Sequence, residues 1–356
     1  MKLTTRFRKW REMRKWKEVI LKGWRGLDHH EKLTRAQKRE TQEFYKGLIG
    51  KRIPLYCHRY FYTRTGVFTK EYVPNNIYHC ELVPKANNHT MAKALGDKNL
   101  CDLLLPGARV PRTVLKNTNG FFFFDGKPVS EQEAVALCSD LKDVIIKPSL
   151  KSKGSGVRKF QAEGGTTNLD GLTVAQLFKR YGKNFQIQEC VRQHPRMAAL
   201  NPTSLNTLRI LTYRSGMEVL VVYAVIRIGR LGSEIDNQSS GGISTAIGED
   251  GRLKKWAYGG YNENGIDHTD TGINLEGYEV PSFDKAIEMV KQLQLQLPYF
   301  NLVGWDIAID EEGEPVLIEF NTNTGLSQSA FHSGMGKYTE RIFRELWPRP
   351  NTWFRD

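Results

Sequence analysis

GWDIAIDEEGEPVLIEFNTNTG, residues 304–325, holds two apolar runs separated by an acidic, flexible EEGE. Both runs break with period two, which is the pattern of a strand pair with one buried face. A four-residue loop over 311–314 pairs Asp310 with Pro315, and counting outward from that pair sets Asp306 opposite Glu319. Glu319 and Asn321 then share one face, while Ile318 and Phe320 point to the other. Carboxylates directly opposite on one face sit with Cβ atoms roughly 5 Å apart and repel each other. A hard divalent cation removes the conflict, and oxygen donors from Asp306, Glu319 and Asn321 suit Mg²⁺. A solvated hairpin carrying incidental acids is the other reading, and only a source of phosphate elsewhere in the chain separates them.

The 356-residue chain is 40% hydrophobic and 11% aromatic, so it can bury the cores of two or three lobes. Its five cysteines, Cys57, Cys80, Cys101, Cys138 and Cys190, are scattered without a CxxC pair. That pattern fits reduced thiols in a cytoplasmic protein rather than a disulfide frame or a zinc site. No apolar run reaches membrane-spanning length, and the basic N-terminus lacks the apolar stretch of a signal peptide.

The formal net charge of +13 is uneven: residues 1–52 hold 17 Lys or Arg against 6 Asp or Glu, a net +11. Within FRKWREMRKWKEVILKGW, helical spacing brings Phe7, Trp10, Met13, Trp16, Ile20, Leu21 and Trp24 near one face, with cations around the rest. Residues 1–26 thus read either as a basic helix for a membrane surface or as a helix packing its Trp stripe on the body. Nucleic acid is disfavoured, because no recognition fold accompanies the charge.

Along the chain, Thr34 and Gly50 bracket a helix, and the Tyr- and Phe-rich residues 53–82 read as a small strand-containing module. FFFF, 121–124, reads as a buried strand. Ser130 with Glu133 forms a capping box, and Gly182 closes a helix over LTVAQLFKRY. Strands are expected at 143–149, 157–161, 185–191, 207–213, 218–228 and 243–247, with a helix after Ser282 and a last one over MGKYTERIFREL. Recurring antiparallel hairpins among irregularly spaced helices indicate an α+β fold.

KPSLKSKGSGV, 147–157, joins two of these strands. Its spacing excludes a Walker loop. Ser152, Gly154, Ser155 and Gly156 instead form a hairpin tip whose N–H groups can close on oxyanions, with Lys147 as a fixed cation at its base.

Lys98 in GDK, Lys147 in IIKPS, the GSG loop, the QECV strand, the R-x-G…N-x₃-GG stretch and the D-x₁₂-E-x-N hairpin follow one another in ATP-grasp order. The chain resembles the ATP-grasp superfamily from about residue 94 to 345, and most closely the sugar-transfer-associated ATP-grasp family of cell-surface polysaccharide gene clusters. The resemblance implies two α+β lobes gripping ATP with one or two Mg²⁺. It divides the chain into a basic helical segment (1–52), a small module (53–95), an N-terminal lobe with the phosphate loop (96–187) and a C-terminal lobe with the metal hairpin (188–348). It also implies a ligase that activates a small-molecule carboxylate as an acyl phosphate for an amine to displace, while the cysteines and the basic helix place it in the cytoplasm, either peripheral at the inner membrane surface or with that helix on the body. Phosphoryl transfer to a sugar or alcohol, and a non-catalytic role in glycan assembly, are the other functions compatible with it.

Carried over residue by residue, Lys98 and Lys147 contact phosphates, and Lys153, Gly154, Ser155 and Gly156 cover them. Glu189 with the backbone of Cys190 and Val191 holds adenine; Asp306, Glu319 and Asn321 bind metal; Arg227 and Arg209 stabilise developing charge. One departure stands out: the ribose-binding acid such ligases place two residues before an Arg matching Arg209 is Thr207 here, and no Asp or Glu occurs between Glu189 and Glu218.

Overall fold

The computed structural model describes residues 3–151, 154–233, 236, 241–260 and 263–348. Two antiparallel sheets carry the fold. In the first, β1 (Thr113–Thr118), β2 (Phe121–Phe124) and β3 (Lys127–Val129) form a meander. Next come β4 (Val144–Pro148) and β5 (Arg158–Phe160), a two-stranded ribbon of β6 (Ala162–Glu163) and β7 (Thr166–Thr167), and then β8 (Phe185–Glu189). The six-stranded order is β3-β2-β1-β8-β4-β5. Helices Glu131–Leu137 and Val174–Tyr181 cover it over a core containing Phe122, Ile146, Phe160, Phe178, Phe185 and Ile187. Both helices open on the capping boxes their sequences encode, at Ser130 and Thr173, each with a Glu or Gln three residues on.

The second sheet comprises β9 (Thr207–Ser215), β10 (Glu218–Ile228), β11 (Ile243–Ala246), β12 (Leu302–Ile309) and β13 (Pro315–Asn321), ordered β11-β10-β9-β12-β13. Every residue of β12 is buried, because cores lie on both sides of it. Helix Phe283–Leu295 packs with Trp305, Ile307 and Ile309 on one side. On the other, Val73 and Tyr78 meet Leu211 and Tyr213, together with Phe343 of the last helix, Thr339–Leu346.

The terminal hairpin has the expected pairing at its functional end and a different turn. Asp306 faces Glu319 and Gly304 faces Asn321, but Ile309, not Asp310, faces Pro315. The loop is three residues, 311–313, closed by Asp310 and Glu314 with Gly313 at φ 77°, the form that places a left-handed residue beside the turn. A bulge at Ile318 restores the register. It also turns Ile318 and Glu319 toward the same cavity, so strict alternation fails there.

The N-terminal region departs further from the sequence reading. Helix α1 (Leu3–Arg25) is followed by α2 (Arg35–Ile49) and α3 (Tyr56–Thr65), and short helical turns, not strands, occupy 75–86. The aromatic residues of 53–82 pack around helices: Tyr56, Tyr60, Phe61 and Tyr72 surround Ile20 and Leu27. The apolar residues of α1 do not share one face. Ile20 is buried and Trp16 stacks on His79, whereas Phe7 is 65% and Trp10 54% exposed. Phe121 is likewise exposed, so of FFFF only Phe122 is fully buried. Ser282 precedes its helix with a left-handed backbone and makes no capping bond.

Candidate active site

A cavity of about 540 Å³ lies between the two sheets. Lys98, Lys147, Gly154, Ser155, Glu189, Cys190, Val191, Arg227, Asp306 and Glu319 all line it. Arg209 and Asn321 stand behind that wall in contact with Asp306, and Gly156 lines a groove on the far side of its loop. Lys153 lies outside the described residues, as does Asn237 of the N-x₃-GG stretch.

Lys147 comes from the buried strand β4 and is 6% exposed. Burial pushes its ammonium down to about 8, against the pull of the Glu319 carboxylate. Lys98 opens a single turn capped by Asp97 and reaches the carbonyl of Lys151 at 2.6 Å and Glu319 at 3.5 Å. The loop leaving β4 needs glycine at 156: its φ is +79°, and a Cβ there would stand 3.0 Å from the ring of Pro148.

On the opposite wall Asp306 of β12 is held by two arginines from the strands on one side of it, β9 and β10. Arg209 donates Nε to Oδ1 at 2.5 Å and Nη2 to Oδ2 at 2.7 Å, and Arg227 stands 3.4 Å from Oδ1. Burial alone would raise the Asp306 carboxyl; the two guanidinium groups outweigh it and bring it down to about 2. Asn321 donates to Glu319 at 3.1 Å and to Asp306 at 3.4 Å. The repulsion anticipated between Asp306 and Glu319 is therefore balanced by the protein's own cations. Among the described residues no three His, Cys, Asp or Glu side chains gather as a metal cluster; the hairpin offers two carboxylates and one amide. Arg209 takes about two of the carboxylate's four lone-pair sites, and the longer contacts from Arg227 and Asn321 take the others, so a cation on Asp306 would displace those two.

At the other end of the cavity Glu189 pairs with Arg112 at 2.7 Å. The Cys190 N–H already donates to the carbonyl of Asp143 at 2.8 Å, so that donor is engaged within the sheet and cannot also serve a base. Gln188, 5% exposed, lines the cavity with its Oε1 buried and unpartnered.

Asp236 is the side chain that sequence reading missed. It lines the cavity and accepts two bonds from Thr207, one from the backbone N–H at 3.2 Å and a short one from the hydroxyl. Both fall on Oδ2. Burial raises its carboxyl to about 6, opposed by Arg227 and by the Thr207 hydroxyl. The acid absent from position 207 is thus present in space, brought 29 residues along the chain by the segment after β10. Its only sequence signal is its place beside Asn237 in the N-x₃-GG stretch.

Residues 78–342 match the sugar-transfer associated ATP-grasp family. The chain belongs to that family. The match begins earlier than the resemblance drawn from motifs, taking in the helical turns at 78–86 that pack under the hairpin. Solved structures with a related fold include the ATP-grasp ligase PsnB complexed with a phosphomimetic variant of minimal precursor, Mg and ADP, 14% identical over 73% of this chain and 61% of that one, with a TM-score of 0.41. Another is the biotin carboxylase domain of 2-oxoglutarate carboxylase from Hydrogenobacter thermophilus, 11% identical over 76% and 49%, TM-score 0.45. A third is the L-amino acid ligase from Bacillus licheniformis, 12% identical over 73% and 52%, TM-score 0.42. This sugar-transfer associated ATP-grasp chain therefore spans 61% or less of each of these solved chains. No curated protein matches it. No helix among the described residues is long and apolar enough to cross a membrane.

Proposed function

We propose that the protein is an ATP- and Mg²⁺-dependent ligase that joins a carboxylate to an amine in building a sugar or amino-acid component of a cell-surface polysaccharide. The observation that carries this reading is the convergence of Lys98, Lys147 and Arg227 with Asp306 and Glu319 on one inter-sheet cavity in an ATP-grasp chain, with Arg209 behind Asp306. Fixed cations on the sheet walls and hard oxygen donors on the hairpin are the complement of a triphosphate with its metal.

In this reading Lys98 and Lys147 hold phosphate oxygens, and Gly154 and Ser155 cover them with backbone N–H groups, while Gly156 supplies the left-handed bend behind them. Asp306 and Glu319 hold Mg²⁺, joined by Asn321 through its Oδ1 once the amide is turned over. The ion supplies Lewis-acid stabilisation of the phosphoryl group. Arg227, already beside Asp306, meets the charge that develops on transfer, and Arg209 keeps Asp306 ionised and aimed. Glu189 and the backbone of Val191 hold the base, and Asp236 accepts from the ribose hydroxyls in place of the acid missing at 207. The division into 1–52, 53–95, 96–187 and 188–348 belongs to the same proposal, as does cytoplasmic residence with residues 1–26 at a membrane surface.

The test is phosphate release from Mg-ATP against paired libraries of carboxylates and amines, amino sugars included. Release that requires both partners supports ligation. Phosphate retained on an acceptor hydroxyl would mean phosphoryl transfer instead, and no turnover with any pair would refute the enzyme reading.

A further inference from the structure

Helix α1 has two unlike faces. Trp16, Ile20 and Gly23 lie along the stripe that packs on α3 and on the segment 75–82. Phe7 is nine residues from Trp16 and Trp10 is six, which puts them about 180° and 120° around the axis from that stripe. Their rings stack on each other at 5.9 Å and both stand in solvent. Arg11, Arg14, Lys17 and Arg25 are exposed on the same outer side, with Arg14 over the Trp10 ring at 5.5 Å. α1 holds nine Lys or Arg against two Glu, and with Lys9 paired to Glu81 and Lys15 to Glu12 the aromatic patch still sits in a field of excess positive charge. Exposed Phe and Trp among cations match the interface of an anionic bilayer, where rings enter the headgroup layer and cations meet lipid phosphates.

The inner face connects to the cavity. The Trp16 ring lies on His79 with centroids 3.6 Å apart and planes at 10°. His79 Nδ1 meets Asn323 Oδ1 at 3.3 Å, in the loop that leaves β13. In the same loop the Thr324 hydroxyl accepts from Arg209 Nη1 at 2.8 Å, and Arg209 holds Asp306. Asn87 ties the segment down by donating to the carbonyls of Leu302 and Thr322, both at 2.7 Å.

We propose that the outer face of α1 docks on an anionic bilayer through Phe7, Trp10 and their flanking cations, and that the Trp16–His79–Asn323 contact transmits docking to the nucleotide cavity. The first part rests on the membrane placement above; the second adds regulation of the proposed ATP site. Anchoring α1 restrains the turn that carries His79 and, with it, the Asn323–Thr324 loop. A nucleotide then orders less of the site on binding, and its affinity rises.

Flotation and fluorescent-ATP binding with Mg²⁺, on the full chain, test the two parts separately. Wild type is expected to float with phosphatidylglycerol vesicles and not with phosphatidylcholine vesicles, and the former to tighten nucleotide binding about fivefold, the lower end of coupling between sites. The double variant Phe7→Ser, Trp10→Ser should lose flotation and the vesicle effect while binding nucleotide in free solution as wild type does. His79→Phe keeps a ring on Trp16 and removes the nitrogen at Asn323; it should float normally yet show no vesicle effect. Flotation of the double variant, or binding of α1 to an RNA duplex in place of vesicles, overturns the docking part. An intact vesicle effect in His79→Phe overturns the coupling. Nucleotide binding without turnover would count against the ligase reading alone, since neither readout requires chemistry.

Discussion

Glu319 and Asp306 face each other across one ladder pair, yet their surroundings assign them different work. Asp306 is 4% exposed and committed to Arg209, whereas the Glu319 side chain is 26% exposed and its nearest cation, Lys98, lies 3.5 Å away. Glu319→Gln should therefore fold normally and lose turnover by about a hundredfold or more, the scale of losing one group that stabilises the transition state; thermal melting and phosphate release measured side by side check both halves. Asp236→Asn preserves the Thr207 contact and makes a charged acceptor neutral, a change of about 1–1.5 kcal/mol in a hydrogen bond. Nucleotide binding should weaken about five- to tenfold by that measure. Wild type should discriminate against deoxy-ATP while the variant does not, which a competition assay reads directly. Lys147 gives a pH signature of two opposite signs. Between about 8 and 10.5 the unfolded chain holds a proton that the folded one has released, so the nucleotide-free protein gains stability as pH rises through that window. Nucleotide affinity falls over the same window, because the neutral amine no longer meets phosphate. Lys147→Arg should flatten the affinity profile, since a guanidinium stays charged. What the sequence could not show at this scale is Asp236: no periodicity links residues 207 and 236, and only the path of the intervening chain brings them together.

Among the elements, the terminal hairpin was readable because its alternation and its acidic turn are local signals. Its Asp306–Glu319 pair came out correctly although the turn did not, since the three-residue loop and the bulge at Ile318 shift the count in opposite directions. The capping box at Ser130 and the helix start at Thr34 were legible for the same local reason, whereas the box at Thr173 went unread. The region 53–82 misled because Tyr and Phe favour strands on propensity, and here burial against α1 and the second sheet overrides it. A glycine in the hairpin offers a test of how the loop after β13 supports the site. A Cβ at Gly304 would stand 2.7–2.9 Å from the Thr324 side chain, the group that accepts from Arg209. Gly304→Ala should push Thr324 off Arg209 and cost about 1–3 kcal/mol, as overpacking does. Nucleotide affinity should drop with it. Unchanged melting and affinity would mean the loop has room that its packing does not show.

Across the whole molecule the charge asymmetry was plain in the sequence, but the division of labour within α1 was not, because an amphipathic pattern does not say which residues meet the body. The fold makes that division measurable by truncation. Removing residues 1–14 takes away Phe7, Trp10 and Arg14 and leaves the packed stripe from Trp16 onward. That protein should melt within about 2 °C of the full chain, as loss of exposed groups seldom exceeds half a kcal/mol. Removing residues 1–26 also strips Ile20 and Trp24 from Tyr56, Tyr60, Phe61 and Tyr72 and takes the ring off His79. Loss of Ile20 alone is worth about 2–4 kcal/mol by the cost of emptying a buried aliphatic site, so the longer truncation should melt several degrees lower and bind nucleotide more weakly. Calorimetry on the pair separates the two faces: both truncations melting with the full chain would show that α1 is an appendage with no structural hold on the body. The shorter truncation melting as low as the longer would place the structural contact in the first four turns instead.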